Sequence, residues 1–450
     1  MRTRIVAAVV LAVVFGLAIS PALAFNYDIN FWLSRSSRSY DLLASGASID
    51  SVNAAMARTP AAGIVDLLSY PADVDAFKLA DSIVSAQFPK DLYLSDGTPA
   101  PAGLISQLQA KFKPEDAQPW YKARYGVAVM TADLRSLPAA DRLYAVRSGG
   151  TDLLQAGRML PAEPCVILAE TKDKAWLYVQ TARSCGWVAS LKVAVAFTRE
   201  HWLSYINAKE FAIVTAPSLR VEQDDAVPAL DTLEFPMGTK IPLMPAANVP
   251  AVVRGRASAD SFAVLLPVRR ADGKLQVVSA LIPRTSDVFA GYLPLTGENI
   301  LKQSMKLVGT RYGYMGSSGR DPYVMASDIF RCFGLELPMS LAGWEAAPLR
   351  YQSLKGESSD MKLLALRKSV PGAILLGNQG PSIFLGQYGD DVYAIAALAA
   401  VKVQPSSELS YALEPLPYNG IGLISLKSIY ADSGNDLFSE LRAVIEPIPR

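Results

Sequence analysis

The sequence predicts an α+β chain of several domains, and three patterns carry that expectation. Helical periodicity is concentrated in residues 25–118 and in short stretches late in the chain. Residues 120–290 instead alternate short apolar runs with Pro, Gly and Asp clusters, the pattern of strands and tight turns. From residue 309 to 338 a Gly-rich loop runs into a compact helix, and apolar runs at 371–376 and 380–386 then read as strands.

Composition bounds the function. A length of 450 residues favours about two to four domains. With 43 basic and 42 acidic residues there is no electrostatic footprint for nucleic acid. Half the residues are hydrophobic (51%), enough for real cores. The 30 prolines are spread along the chain, which favours short strands and turns over long helices.

Residues 1–24 read as a secretory signal. Arg2 and Arg4 precede an apolar run at 5–19, and Ala22-Leu23-Ala24 is a small-residue cleavage site before Phe25. The run is short for a bilayer span and no stop-transfer pattern follows. No Cys lies near the cleavage point, so the expectation is an exported chain without a membrane anchor once the signal is removed.

In the helical segment, Ser48 and Asp50 can cap a helix carrying Val52, Ala55 and Met56, with small and apolar residues continuing over 61–68. Phe77, Ala80, Ile83 and Val84 make a second amphipathic stretch within 75–88. Pro99, Pro101, Pro114 and Pro119 end the pattern. Strands follow at 126–130, Pro164–Glu170, 175–181 and 186–188. Less regular strands follow at Phe211–Val214, 219–222, 240–244, 262–268 and 275–280. Asn299, Gln303 and Leu307 then share a helix face.

In the stretch after that helix, Asp321 suits an N-cap, because its carboxylate can accept from an orphan helix N–H. Pro322 suits the first helical position, where its missing N–H costs nothing. Met325, Ile329, Cys332 and Phe333 make one apolar face, Gly334 fits the stop, and Pro338 prevents resumption.

The three cysteines and single histidine offer little chemistry. Cys165 and Cys185 flank a hairpin, so a disulfide and two separate thiols are both open. Cys332 reads as a core residue, and pairing it with His201 as nucleophile and base is the weaker reading. No zinc-ligand spacing exists, and no metal or cofactor is expected.

Taken together, Val308-Gly309-Thr310-Arg311-Tyr312-Gly313-Tyr314, Arg320-Asp321 and Phe333-Gly334-Leu335-Glu336-Leu337-Pro338 resemble the active-site segment of the NlpC-type cysteine peptidases, papain-like enzymes that cut the peptide stems of bacterial cell wall. In that register the nucleophile position is Pro322, followed by Tyr323. The base position falls near Gln379, Gly380 and Pro381, and the orienting position on Ala396. Proline has no nucleophilic atom, and a cysteine peptidase needs a thiolate and a base. The resemblance thus implies the family's frame without its catalytic groups.

The middle region adds to the likeness. Trp176-Leu177-Tyr178-Val179 with Gly186-Trp187-Val188 resembles bacterial SH3-like barrels, as do Asp133-Leu134-Arg135-Ser136-Leu137-Pro138 and Asp152-Leu153-Leu154-Gln155. Those aromatics read chiefly as core, with a ligand groove of Trp120, Tyr121 and Trp187 as the minor alternative. At the tail, Ile424-Ser425-Leu426 and Leu437-Phe438-Ser439-Glu440-Leu441 resemble a closing strand and helix.

The resemblance implies a layout of signal peptide (1–24), helical clip segment (25–118), first SH3-like barrel (119–203), second SH3-like barrel (204–290) and a degenerate papain-like NlpC-type α+β domain (291–450). It implies a cell-envelope protein, periplasmic or extracellular, that binds peptidoglycan stem peptide or an envelope protein without cutting. Tyr312, Tyr314, Arg320 and Asp321 are the residues expected to line the old cleft. The rival reading is an active murein peptide hydrolase whose nucleophile is Ser317, Ser318 or Tyr323. A serine would need a base, and that loop holds no His or Lys.

Overall fold

The computed structural model describes residues 27–84, 87–112, 120–221, 227–231, 233–316, 319–403 and 413–449. The expected signal and its cleavage site, and Ser317 and Ser318, lie outside them. The chain divides into two compact units. Unit 1 takes Thr296–Tyr312 and Tyr351–Pro447 with the described part of Met1–Asp41; unit 2 takes Leu42–Leu295 and Gly313–Arg350.

In unit 2 the short strand Leu42–Ala44 is followed by the helix Gly46–Ala57, which buries Ile49, Val52 and Met56. Its cap is Ser45 rather than Ser48 or Asp50: the Ser45 hydroxyl accepts from Ser48 N at 3.2 Å. Ser45 is extended, so the first turn accommodates Gly46 and Ala47 and the helix starts earlier than expected. The apolar stretch after it is not helical. Pro60–Ala62 forms one 3-10 turn, which Gly63 ends in the left-handed region (φ +70°) that glycine adopts without strain. The second helix is Ala76–Val84, with Asp75 Oδ1 accepting from Phe77 N and Lys78 N at 3.1 Å each.

The first β-region is a seven-stranded sheet in the order Val193–Val195, Arg124–Ala128, Pro164–Glu170, Trp176–Gln180, Cys185–Ala189, Ala132–Arg135, Gln155–Met159. Sequence reading missed Gln155–Met159, because Gly157 and Arg158 interrupt its alternation. The second β-region is a set of small sheets. Phe211–Val214 pairs with both Lys240–Pro242 and Val288–Ala290, and Ser261–Arg269 forms a long hairpin with Leu275–Pro283.

One apolar cluster runs through these parts. Leu79 and Ile83 of the second helix, Val127 and Trp187 of the first β-region, and Phe235 and Val264 of the second all belong to it. It also includes Trp202 of the helix Arg199–Ile206, fully buried, with Nε1 donating to the Gly126 carbonyl at 2.9 Å.

In unit 1, the helix Gly297–Leu307 is capped by Thr296 and buries Ile300, Leu301 and Leu307. The strands Leu441–Pro449, Ile374–Gly377, Gly380–Tyr388, Asp391–Leu398 and Gly420–Ser425 form consecutive antiparallel pairs in that order. The helix expected at 437–441 is a turn, and a strand follows it. Buried Leu441, Ala443, Val444 and Ile445 place that strand beside Ile374–Gly377, where ladder bonds outweigh any helical tendency.

The disulfide is excluded by register. Val166 lies opposite Gln180, and Gln180 opposite Cys185, so a whole strand separates the strands that carry Cys165 and Cys185. Two interstrand spacings are about 9.6 Å, beyond the roughly 7 Å that a disulfide spans. Both thiols are free, Cys165 buried and Cys185 exposed. Intact-mass measurement with and without reductant should therefore give the same mass, and native thiol titration should count Cys185 alone. A two-proton mass difference would contradict this register.

Candidate functional site

The described residues before Asp321 and the helix Pro322–Arg331 keep the local form that the sequence dictates. Asp321 is extended and Pro322 opens the helix. The Asp321 carboxylate does two jobs. Oδ1 accepts from Val324 N at 2.8 Å, which caps the helix, and Oδ2 accepts from Met315 N at 2.7 Å, which fastens the loop. That second bond holds Met315 at φ +49°, a left-handed conformation uncommon for a side chain of its size. Asp321 is only 2% exposed, and burial raises its pKa against the pull of those backbone bonds.

Arg320 does not present its guanidinium to solvent. Nε contacts Asp328 Oδ2 at 2.8 Å and Nη2 donates to the Pro217 carbonyl at 2.8 Å. Arg158, from the strand Gln155–Met159, places Nη2 at 2.6 Å from both Asp328 oxygens. Asp328 thus lies buried between two arginines. Burial alone would raise its pKa, but Arg158 and Arg320 hold it below the usual carboxylate range. The Arg320 guanidinium is therefore turned to Asp328 and the Pro217 carbonyl rather than to solvent.

Tyr314 is the most accessible of the residues expected to bind, at 40% exposed. Burial and the Asp321 charge raise the phenol pKa of both Tyr314 and Tyr323. Both shifts disfavour the phenolate. Tyr314, Arg320 and Asp321 stand together in unit 2. Tyr312 belongs to unit 1, where its backbone N donates to the Asn419 carbonyl at 3.2 Å.

Gly380, Pro381 and Ala396, which the resemblance sets at the base and orienting positions, are in unit 1. Gly380 and Pro381 open the strand Gly380–Tyr388, opposite Gly377 and Leu376, and both are buried. Ala396 is opposite Gly422 and 5% exposed. None carries an ionisable group.

Cys332 is buried, with Sγ 3.6 Å from the Asp328 carbonyl and 3.7 Å from that of Val214. His201 instead stacks on Phe197 with ring centroids 5.7 Å apart. Trp187 is fully buried beneath Phe112 and Tyr178, so it cannot share a groove with exposed Trp120. The Tyr121 hydroxyl donates to the Leu168 carbonyl.

In the first β-region, the two segments singled out by sequence do meet. Arg135 Nη1 lies 2.5 Å from Asp152 Oδ2 and 3.1 Å from Gln155 Oε1, while Nη2 donates to the Asp141 carbonyl at 2.7 Å. This buried cluster braces the loop between the strands Ala132–Arg135 and Gln155–Met159.

Sequence reading missed Arg158 and Asp328. The available signal was Asp328 itself, which falls three residues from Met325 and four from Val324, on the apolar stripe of a helix. A carboxylate there demands a buried cationic partner.

These features define a multidomain α+β protein with an SH3-like sheet, and comparison with known proteins agrees. The model of the SH3 domain (SH3b1 type) matches residues 150–189, the four consecutive strands from Gln155–Met159 to Cys185–Ala189. The fold is similar to a structure described as a novel NlpC/P60 endopeptidase from Photobacterium damselae subsp. piscicida. The similarity covers 95% of this chain and 98% of that one, with TM-score 0.73 and 13% identity, and at that identity it is a likeness of fold. NlpC2 from Trichomonas vaginalis matches at 10% identity over 69% of this chain and 97% of its own, with TM-score 0.24. NlpC1 from the same organism gives 9%, 70%, 94% and 0.23, and neither adds to the argument. No curated protein sequence matches the chain. The chain therefore carries an SH3 domain and has the NlpC/P60-type fold.

Proposed function

We propose that this chain is a degenerate member of the NlpC-type family, exported to the cell envelope, which binds peptidoglycan stem peptide or an envelope protein without cutting it. The observation that carries the proposal is Pro322. It occupies the first position of a capped helix, where the resembling enzymes hold a thiol whose pKa the helix N-terminus lowers. Here that position offers no nucleophilic atom, and Gly380, Pro381 and Ala396 offer no base or orienting group. The SH3 domain and the NlpC/P60-type fold support an association with cell wall.

Export rests on the sequence of residues 1–24. No helix among the described residues is long and apolar enough to cross a membrane. Among the described residues no cluster of three or more His, Cys, Asp or Glu could hold a metal ion.

Two variants test this reading. Pro322→Cys alone should leave purified muropeptides intact by mass spectrometry, because the base is missing as well; cleavage by this single variant would sink the argument. Tyr314→Ala is a cleaner probe of the old cleft than Arg320→Ala, since Arg320 is committed to Asp328. Calorimetry with a stem tetrapeptide should show weaker binding for Tyr314→Ala by about tenfold, the scale of one lost aromatic contact. Unchanged affinity would place binding elsewhere.

A further inference from the structure

Unit 2 carries a half-open cavity of about 1070 Å³, bounded among others by Asn53, Tyr70, Glu163, Lys240, Tyr292 and Arg331. Arg331 is the last residue of the helix that Pro322 opens, and ten residues of helix span about 15 Å. The cavity is therefore at the opposite end of that helix from the capped loop, and it is a separate place from the old cleft.

Its walls are fixed. Asn53 donates from Nδ2 to the Gly334 carbonyl at 2.8 Å and accepts at Oδ1 from Glu336 N at 3.0 Å, which ties the helix Gly46–Ala57 to the segment after Arg331. On another side Gly238, at φ +78°, lies so close to the Asp328 carbonyl that a Cβ would stand 2.6 Å from its oxygen. A cavity braced in this way is pre-formed, as small-molecule sites usually are.

Its carboxylates are already engaged. Glu163 and Glu336 are both engaged by Arg183, at 2.7 and 2.9 Å. Asp66 Oδ1 accepts from Leu68 N. The Lys240 ammonium stands 4.4 Å from the centroid of the Phe211 ring, and desolvation lowers its pKa. Arg331 Nη1 is buried and makes no hydrogen bond, although Arg331 acts electrostatically on Glu336. A buried cationic donor left without an acceptor is costly, and an anionic oxygen is the group that would relieve it. Burial pushes the Tyr292 phenol up to about 12, so it remains a neutral O–H donor at pH 7. Ile64 and Ile213 add apolar lining.

We propose that this cavity is a binding site for a small organic carboxylate, with the carboxylate at Arg331 and Lys240 and the apolar body against the surrounding aliphatic and aromatic side chains. This inference stands independently of the wall-binding reading, since it rests on different residues and predicts a different ligand class.

The test uses the full chain and two fluorescent probes of similar size, dansylglycine with a carboxylate and the neutral dansylamide. Dansylglycine should bind saturably with one site, and dansylamide at least about tenfold more weakly, the factor expected for one charge-assisted hydrogen bond. Arg331→Met should remove that preference while leaving dansylamide binding unchanged. Should Arg331→Met fail to fold, Lys240→Gln must reduce the preference for dansylglycine in its place. Equal affinity for the two probes, absence of saturation, or a folded variant that retains the preference would overturn the proposal.

Discussion

Asp328→Ala should destabilise unit 2 by about 3–5 kcal/mol, the usual consequence of removing one partner from a buried ion pair. The loss arises because Arg158 and Arg320 stay behind, buried, after the oxygens that hold them at 2.6 and 2.8 Å are gone. Urea denaturation monitored by tryptophan fluorescence would measure it. The contrasting variant replaces Asp328, Arg158 and Arg320 together by Leu, Met and Met. It should recover most of the loss, since apolar replacement of a buried triad is often neutral or better. If Asp328→Ala were nearly silent, the triad would have to be solvated and the helix less buried than it is.

The same residue sets the acid limb of the stability profile. Asp328 has a lowered pKa in the folded chain, so its stabilisation is fully present above the unfolded carboxylate value of 3.8 and is lost as pH falls through the still lower folded value. Asp321 acts in the opposite sense. Its folded pKa is raised, so its stabilising term is fully present only below 3.8 and is lost as pH rises through the folded value. Asp328→Ala should therefore flatten the acid limb below the ordinary carboxylate range, as seen in urea titrations at a series of pH values.

Trp202→Ala should cost about 3–5 kcal/mol as well, by removing a fully buried indole, and it leaves the Gly126 carbonyl without its 2.9 Å donor. The more telling result is where protection is lost. Trp202 is in a cluster that includes Val127 of the first β-region and Val264 of the second. Hydrogen exchange should accelerate in both Arg124–Ala128 and Ser261–Arg269. Acceleration confined to one would mean that the two β-regions have independent cores.

Local rules carried most of what the sequence revealed. The Asp321 cap, Pro322 at the first position and the stop at Gly334 follow from backbone chemistry within a dozen or so residues, and each is realised. The strands Pro164–Glu170 and Phe211–Val214 were legible for the same reason, as apolar runs between turn residues. What depends on distant partners was not legible. Gln155–Met159 lacks strand character of its own and exists through pairing with Ala132–Arg135. The turn at 437–441 precedes a strand that only the neighbouring Ile374–Gly377 calls for.

The site divides along the same line. That Arg320 and Asp321 are adjacent was visible, but that their charges go to different places was not. Arg320 turns to Asp328 and the Pro217 carbonyl, while Asp321 turns to Val324 N and Met315 N. Those choices depend on Arg158, which is 162 positions from Arg320 in sequence and brought to the helix only by the folded sheet.

The central claim, binding to wall material without cutting it, is tested most directly by incubating the purified chain with intact peptidoglycan sacculi and assaying pellet and supernatant together. The protein should be found in the pellet, with no soluble muropeptides by mass spectrometry. Protein left in solution with nothing released would contradict the wall-binding half of the claim, and released muropeptides would contradict the loss of catalysis.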